Sequence, residues 1–490
     1  MEAIERNVSA RRDVDLAAVA VRAFEPVESE VDVRLDVVEG AVPEALRGVL
    51  YRNGPGSLRV GDTPQMHPFD GDGMVSRFAF EASGVRYRNR FVRTREWLNE
   101  QRAGRMLYRA FGTNLPGGFA KNALRMRFKN AANTSVVRHG GLLLALWEGG
   151  LPHALDPVSL ATLGRFDYGG ALRARSPLER VLVGELPFSA HPSICARTGE
   201  LWNFGVSVAP RPTLLVHRVD AEGVLRETRR VPLPRASFVH DFVLTSRWAV
   251  FFLTPVRFDV VRALSGRASP VDAIGRDPSA PLTVLLVPRD GGEPRMLRAP
   301  ACFVFHFFGA REDERGRVIV DGCRMDGFAG GSIDLRDAEA LRRAHFDDAL
   351  PTRWTIDPDR GRVDEEHLAD VPMELPTVHP TRAARFGWAI ARMVRGGAPV
   401  HTGWAKLDRE TGATVLRDET PDITSEPVVV AKPGATDEDD AWLLALVYRA
   451  ARHRTELVVL EARDLSTVAR LALPHHQPPG FHGCFVDDLR

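Results

Sequence analysis

The chain has 490 residues, 44% of them hydrophobic and 26% charged, which excludes wholesale disorder and a collagen-like chain and leaves ample apolar material for a core. Lys and Arg total 65 against 64 Asp and Glu, a net charge of +1 without the clustered basic excess of a nucleic-acid binder. No run of eighteen apolar residues occurs, because the best candidate, 238–256, is broken by His240, Asp241 and Arg247, so no transmembrane helix is expected.

The first residues, MEAIERNVSARRDVD, carry charges but no apolar stretch, so no signal peptide is expected. Residues 10–24 have the spacing of one amphipathic helix, within an N-terminal helical or extended arm over 1–30. From there on, short apolar runs alternate with Gly, Asp and Pro turns. Residues 214–233 read as strand, turn, strand; 401–418 repeat the design around a Glu-Thr-Gly turn; 455–473 do so again, as do 316–323 with their flanks. Residues 334–346 form one of few convincing helices, an excursion between strands. So many short strands without a βαβ rhythm predict a large all-β fold: a propeller, stacked sandwiches or a barrel. No Pro/Ser-rich linker divides the chain, which favours one closed domain over 1–490. Cys195, Cys302, Cys323 and Cys484 stand far apart with no C-x-x-C, so neither a zinc knuckle nor a disulfide framework is expected, and a reducing cytoplasm fits.

Several common chemistries are missing from the motif inventory. There is no G-x-x-x-x-G-K-[ST] phosphate loop, no G-x-G-x-x-G after a strand, no G-x-S-x-G elbow and no H-E-x-x-H helix. The Gly-rich stretch from Asp70 to Gly73 carries two carboxylates that would repel a phosphate. No nucleotide cofactor is therefore expected.

Among fifteen histidines, four share a setting. His191 in FSAHPS, His240 in FVHDFVL, His306 in FVFHFFGA and His482 in GFHGCFV each stand in a strand-like apolar stretch near a turn former or small residue. Buried imidazoles need partners, and a metal ion is one that suits neutral rings. Their separations of 49, 66 and 176 residues exclude a local finger and require β-modules pointing toward a shared centre, as a propeller axis allows. His67 in MHPFDGDG is the strongest decoy. His475 and His476 read as an exposed loop, and His139, His217, His345, His367 and His453 as solvent-facing.

At these residues the chain resembles the carotenoid cleavage oxygenase family, the retinal pigment epithelial membrane protein superfamily. The matching stretches are YRNGPG (51–56), HPFDGDGMV (67–75), KNAANTSVV with LLALWEGGLPHALDPVSLATLG (129–164), AHP with TGELWNFG (190–205) and FVHDFVLT (238–245), then MELP (373–376), SEPVVVAKPGATDEDDAWLLALVY (425–448) and GFHG (480–483). The resemblance implies an all-β, seven-bladed β-propeller with a short helical cap over one face. It implies one Fe(2+) per chain on His191, His240, His306 and His482, with Glu148, Glu374 and Glu426 behind the imidazoles. A metal-bound His usually gives its second N–H to a carboxylate or carbonyl, and carboxylates offset the charge of a divalent ion. Thr134 of NAANT resembles a position whose side chain crowds an open metal site. The sequence departs from the family pattern at Gly309, where Asn is common after the third histidine, and at Phe485, where Trp is frequent; neither change removes a ligand.

The activity so implied is cleavage of a C=C bond by O2 into two carbonyls, with both oxygen atoms retained and no external reductant. The expected substrate is a lipophilic polyene, a carotenoid or apocarotenoid. Lys129 raises the alternative of a stilbenoid, because stilbene-cleaving relatives use a lysine in this region on a phenol hydroxyl. A propeller that binds hydrophobic ligands without turnover is a further alternative. Residues 111–128 mix apolar side chains with Arg and Lys and suit a dip into a membrane surface, giving a cytoplasmic protein with peripheral contact. No nucleic-acid partner is expected, and the oligomeric state is not legible.

Overall fold

The computed structural model describes residues 14–487 except 28, 126–127, 175–184, 208–210, 278, 328–330, 345–346, 383–384, 396–397 and 399. Strand Ala441–Arg449 (AWLLALVYR) shows what drives the fold: all nine of its residues are buried. Alternation along a strand sends successive side chains to opposite faces, so such a strand needs apolar cover on both. Trp442, Leu444 and Leu446 pack with Leu50, Phe78 and Tyr87 on one side, while Leu443, Ala445 and Val447 pack with Trp388, Ile390 and Trp404 on the other.

Repeated around the chain, this arrangement gives seven antiparallel sheets stacked face to face in a ring, a seven-bladed β-propeller. Blade one runs from inner to outer edge as Gly483–Val486, Gly48–Ser57, Asp72–Glu81, Gly84–Phe91 and Asp32–Arg34. Blades two to six each have four strands, opening with Ser135–His139, Ser193–Ile194, Phe242–Leu244, Phe303–Glu312 and Met373–Thr377. Blade seven opens with the short strands Ile423–Thr424 and Val428–Ala431, and its outer edge is Asp36–Gly40. Every pair of neighbouring blades shares its own apolar cluster, including the pair formed by blades seven and one.

The two ends of the chain close the ring. Val486, Phe485 and Cys484 pair with Val49, Leu50 and Tyr51, while Asp36 and Val37 pair with Ala472 and Leu471 of blade seven. Gly483 is required at this seam: a Cβ there would lie 2.3 Å from the Tyr51 carbonyl oxygen.

Short helices cover one face. Leu16–Ala23 takes the place of the helix expected over 10–24; the Asp15 carboxylate caps it by accepting from the Ala18 N–H, and residues 10–13 lie outside the described residues. The helix expected over 334–346 contracts to Ala338–Arg343, because Asp337 caps its start and Ala344 is already extended; residues 345–346, with His345, lie outside the described residues. Leu16, Ala20, Leu335, Leu341, Val400 and Ile423 form the apolar layer under this cap. The strand pairs expected over 214–233, 401–418 and 455–473 are Thr213–Val219 with Leu225–Pro232, Gly403–Asp408 with Thr414–Asp418, and Arg454–Glu461 with Thr467–Ala472. Two of the expected surface histidines are buried instead. His217 sits on a central strand covered on both faces, with its ring nitrogens 3.0 Å from the Pro187 carbonyl and 3.0 Å from the Thr228 hydroxyl. His139 is held by the Gly199 carbonyl at 2.9 Å.

Gly483→Val forces the closing strand away from Tyr51 and is expected to lower the thermal unfolding midpoint by several degrees, on the order of 1–3 kcal/mol of overpacking strain. Differential scanning calorimetry checks this; an unchanged midpoint would mean that the seam is not held by this strand.

Candidate metal centre

The innermost strand of each blade delivers one polar side chain toward the axis. Thr134 precedes Ser135–His139, His191 precedes Ser193–Ile194, His240 precedes Phe242–Leu244, and His482 precedes Gly483–Val486. His306 lies within Phe303–Glu312, Glu374 within Met373–Thr377, and Glu426 between the two short inner strands of blade seven. The register slips around His306 and just after Glu374, and such bulges re-aim a side chain that regular alternation would send into a blade interface.

Four of the seven are the expected histidines, and the structure brings them together. One ring nitrogen from each of His191, His240, His306 and His482 lies within 4.8 Å of all the others. His240 Nε2 and His306 Nε2 are 3.2 Å apart. Two nitrogens at right angles on one metal, each at roughly 2.1 Å, would stand about 3 Å apart.

The carboxylates explain which nitrogen faces inward. Nδ1 of His306 is 2.5 Å from Glu374 Oε2, and Nδ1 of His482 is 2.7 Å from Glu426 Oε1. Each ring therefore donates from Nδ1 and turns a bare Nε2 to the centre. Glu148 Oε1 approaches His240 Nδ1 to 3.3 Å and His191 Nε2 to 3.4 Å, aligned for a hydrogen bond with neither. His191 Nε2 is buried with no hydrogen-bond partner. Nitrogens so converged can share a proton, as His240 and His306 can, or a cation, and the donor set fits a divalent transition metal.

The electrostatics differ from ring to ring. Burial, reinforced by the neighbouring rings, pushes His240 well below the usual imidazole value, and burial takes His482 to about 4. Burial also acts to lower His306, but the charge and hydrogen bond of Glu374 outweigh it and raise that ring overall. Burial raises Glu148; Glu426, although buried, is lowered by His482 and Arg52.

Two residues that sequence reading did not single out complete the site. Arg52, in the YRNGPG stretch, is 1% exposed and donates to Glu426 Oε2 at 2.5 Å, while the Gly483 N–H donates to the same oxygen at 3.0 Å. Asp241, next to His240, accepts from the N–H groups of Phe242 and Phe307 and adds negative charge beside the rings. An Arg in a buried strand was the available signal for the first. The second had none, because acids beside turns are commonplace.

Thr134 lines the cavity at the centre, and its carbonyl accepts from the His482 N–H at 3.1 Å. The decoy His67 stays out of the cluster: its Nδ1 accepts from the Phe69 N–H at 3.2 Å, and burial lowers it to about 4. Lys129 does not line the cavity. Its ammonium is buried 2.6 Å from Asp72 Oδ1 and 2.7 Å from Glu100 Oε2, so the residue that favoured a phenolic substrate is consumed in an internal ion cluster.

The centre opens into a cavity of about 380 Å³ between the ring and its cap, within the range of small-molecule sites. Phe69, Phe111, Trp147, Phe238, Phe305 and Phe481 give it aromatic walls. Phe238 and Phe305 pack directly on His240, with ring centroids at 6.1 and 5.0 Å.

Comparison with known proteins adds independent findings. The sequence pattern described as retinal pigment epithelial membrane protein matches residues 24–487. The chain is 38% identical to the apocarotenoid-15,15'-oxygenase of Synechocystis sp., over 95% of this chain and 96% of that protein. It is 28% identical to resveratrol cleavage oxygenase 1 of Aspergillus fumigatus, over 95% of this chain and 94% of that one. The solved structure of the cobalt-substituted Synechocystis apocarotenoid oxygenase matches with a TM-score of 0.88 and 35% identity, covering 96% of this chain and 99% of that chain.

His306→Ala is expected to abolish metal binding, read by elemental analysis of the purified protein; full metal content would remove His306 from the ligand set. Glu426→Gln removes the charge behind His482 and should weaken metal affinity by roughly 10–100-fold. Competition with a chelator measures it, and an affinity equal to wild type would separate Glu426 from the centre.

Proposed function

The chain belongs to the retinal pigment epithelial membrane protein family, and from that premise we propose that it is a non-haem iron(II) dioxygenase that cleaves a C=C bond of a carotenoid or apocarotenoid with O2. The observation that carries this reading is the set of four converging imidazoles with three carboxylates against them, beside an aromatic cavity that His240, His306 and His482 line. Its likeness to an apocarotenoid oxygenase over almost the whole of both chains supports the substrate class.

One ferrous ion on His191, His240, His306 and His482 supplies, when bound, the binding and activation of O2. The protein does the rest by placement. Glu374 and Glu426 keep the Nδ1 protons of His306 and His482 in place, and Glu148 faces Nδ1 of His240. Arg52 fixes Glu426. The aromatic walls exclude water and hold a rigid polyene with one double bond at the centre, a positioning effect. We assign Thr134 the role of limiting the space at the open side of the centre. No general acid or base is required, because an alkene and O2 together contain every atom of two carbonyl products. The stilbenoid alternative loses its sequence signal with Lys129 engaged elsewhere.

Substrate delivery draws on the surface beside the cavity. Phe119 is 62% exposed, Leu124 80% and Val261 78%, and the Leu124 N–H donates to the Leu264 carbonyl, which holds the two segments together. Exposed Lys121, Arg125 and Arg262 surround them, a composition suited to an anionic lipid surface. Phe111, at the other end of the same stretch, faces the cavity. Residues 126–127 lie outside the described residues. No helix among the described residues is long and apolar enough to cross a membrane, and we propose a cytoplasmic protein with peripheral membrane contact.

With iron-loaded protein, an apocarotenal and 18O2, both carbonyl products are expected to carry label at the new oxygen, with one O2 consumed per cleavage; oxygen uptake of zero with every polyene and stilbenoid offered would instead favour a non-catalytic binder. Replacing Phe119, Leu124 and Val261 together by Ser should sharply reduce co-sedimentation with anionic liposomes, and unchanged co-sedimentation would refute the membrane contact.

A further inference from the structure

One corner of the otherwise apolar cavity is built from charged and polar groups that the cleavage reaction does not use. Asp347, Asp348, Arg392 and His401 all line it, beside Glu374. Arg392 lies just beyond Ile390, the cross-strand partner of Glu374, and its N–H donates to the Pro372 carbonyl at 3.0 Å, so this corner adjoins the carboxylate that holds His306. The Arg392 guanidinium is 3.2 Å from Asp348 Oδ1, and Asp347 accepts from the Gly327 N–H at 3.0 Å.

His401 is held by its backbone. Its carbonyl accepts from the N–H and the hydroxyl of Thr424 on the inner strand of blade seven. Its ring nitrogens make no hydrogen bond among the described residues, although the ring lines the cavity. Burial lowers this ring to about 4, so it is neutral, with one nitrogen that donates and one that accepts. Polar groups in an apolar enclosure are costly unless something pairs with them. A hydrocarbon end offers nothing here. A hydroxyl both donates and accepts, and it matches a neutral imidazole beside a guanidinium–carboxylate pair.

We propose that His401, with the Arg392–Asp348 pair, is a subsite for a hydroxyl on the terminal ring of the polyene. Anchoring that end fixes the register of a rigid chain along the cavity and so selects the double bond that reaches the metal. This inference rests on the oxygenase reading for the identity of the ligand, but not for the existence of the polar corner.

The test compares two apocarotenals of one chain length, with and without a ring hydroxyl, on iron-loaded wild type, His401→Leu and His401→Gln. Cleavage kinetics are paired with anaerobic titrations that follow quenching of protein fluorescence, to which Trp147 on the cavity wall contributes. Wild type should favour the hydroxylated compound by about tenfold in kcat/KM and in Kd, chiefly through KM. His401→Leu should lose that preference by weakening only the hydroxylated compound, and His401→Gln, which keeps hydrogen-bonding capacity, should restore part of it. Equal binding of both compounds by wild type overturns the proposal without reference to any variant, and so does a preference undiminished in His401→Leu. A His401-dependent binding preference without cleavage of either compound would uphold the subsite and overturn the oxygenase reading instead.

Discussion

At the axis of the ring, imidazole nitrogens from four blades face one another, and between His240 and His306 they do so at 3.2 Å. At that distance the two nitrogens must share a proton, as a hydrogen bond from one ring to the other, or share a cation. Much of the molecule serves this one requirement. The rings must stay neutral to act as ligands, and burial keeps His240 and His482 so. They must also present the correct nitrogen, which Glu374 and Glu426 ensure by engaging the other one. Negative charge from these acids and Asp241 would offset a divalent ion held by the four rings.

Ligands so far apart in sequence need a rigid frame, and the frame is an unbroken ring. Each blade is covered on both faces by its neighbours, so no blade shifts without opening an apolar interface. Polar ties reinforce the seams. Arg52 of blade one reaches Glu426 of blade seven, Asp321 of blade five holds Arg409 of blade six, and Lys406 of blade six meets Asp439 of blade seven. Removing one partner of such a buried pair typically costs about 3–5 kcal/mol, because the other charge is left uncompensated. The Arg52–Glu426 tie belongs to the seam and to the metal centre at once, which couples closure of the ring to the orientation of His482.

The strands were legible because alternation and Gly or Asp turns are local signals: the pairs within 401–418 and 455–473 stand where the pattern put them. The number of blades was not a local property and came from the family resemblance. Helix ends were overextended, since Asp337 stops 334–346 from starting at its first residue and composition alone does not show it. His217 looked solvent-facing among charged neighbours, but charges on a strand between two sheets belong to one face only, and the ring lies on the other side of that accounting, satisfied by Pro187 and Thr228. Lys129, the residue that raised the stilbenoid alternative, shows a related limit. Its sequence neighbours say nothing of Asp72 and Glu100, which neutralise it from other segments. The four histidines were found through their motifs; the polar corner at His401 was invisible, because Asp348, Arg392 and His401 meet only in the folded chain.

The central claim is tested most directly by anomalous diffraction at the iron edge from anaerobically grown crystals of the purified protein. The account predicts one anomalous peak per chain, equidistant from the Nε2 atoms of His191, His240, His306 and His482 within ordinary bonding distance. A peak elsewhere, or a ring among the four turned away from it, would contradict the account.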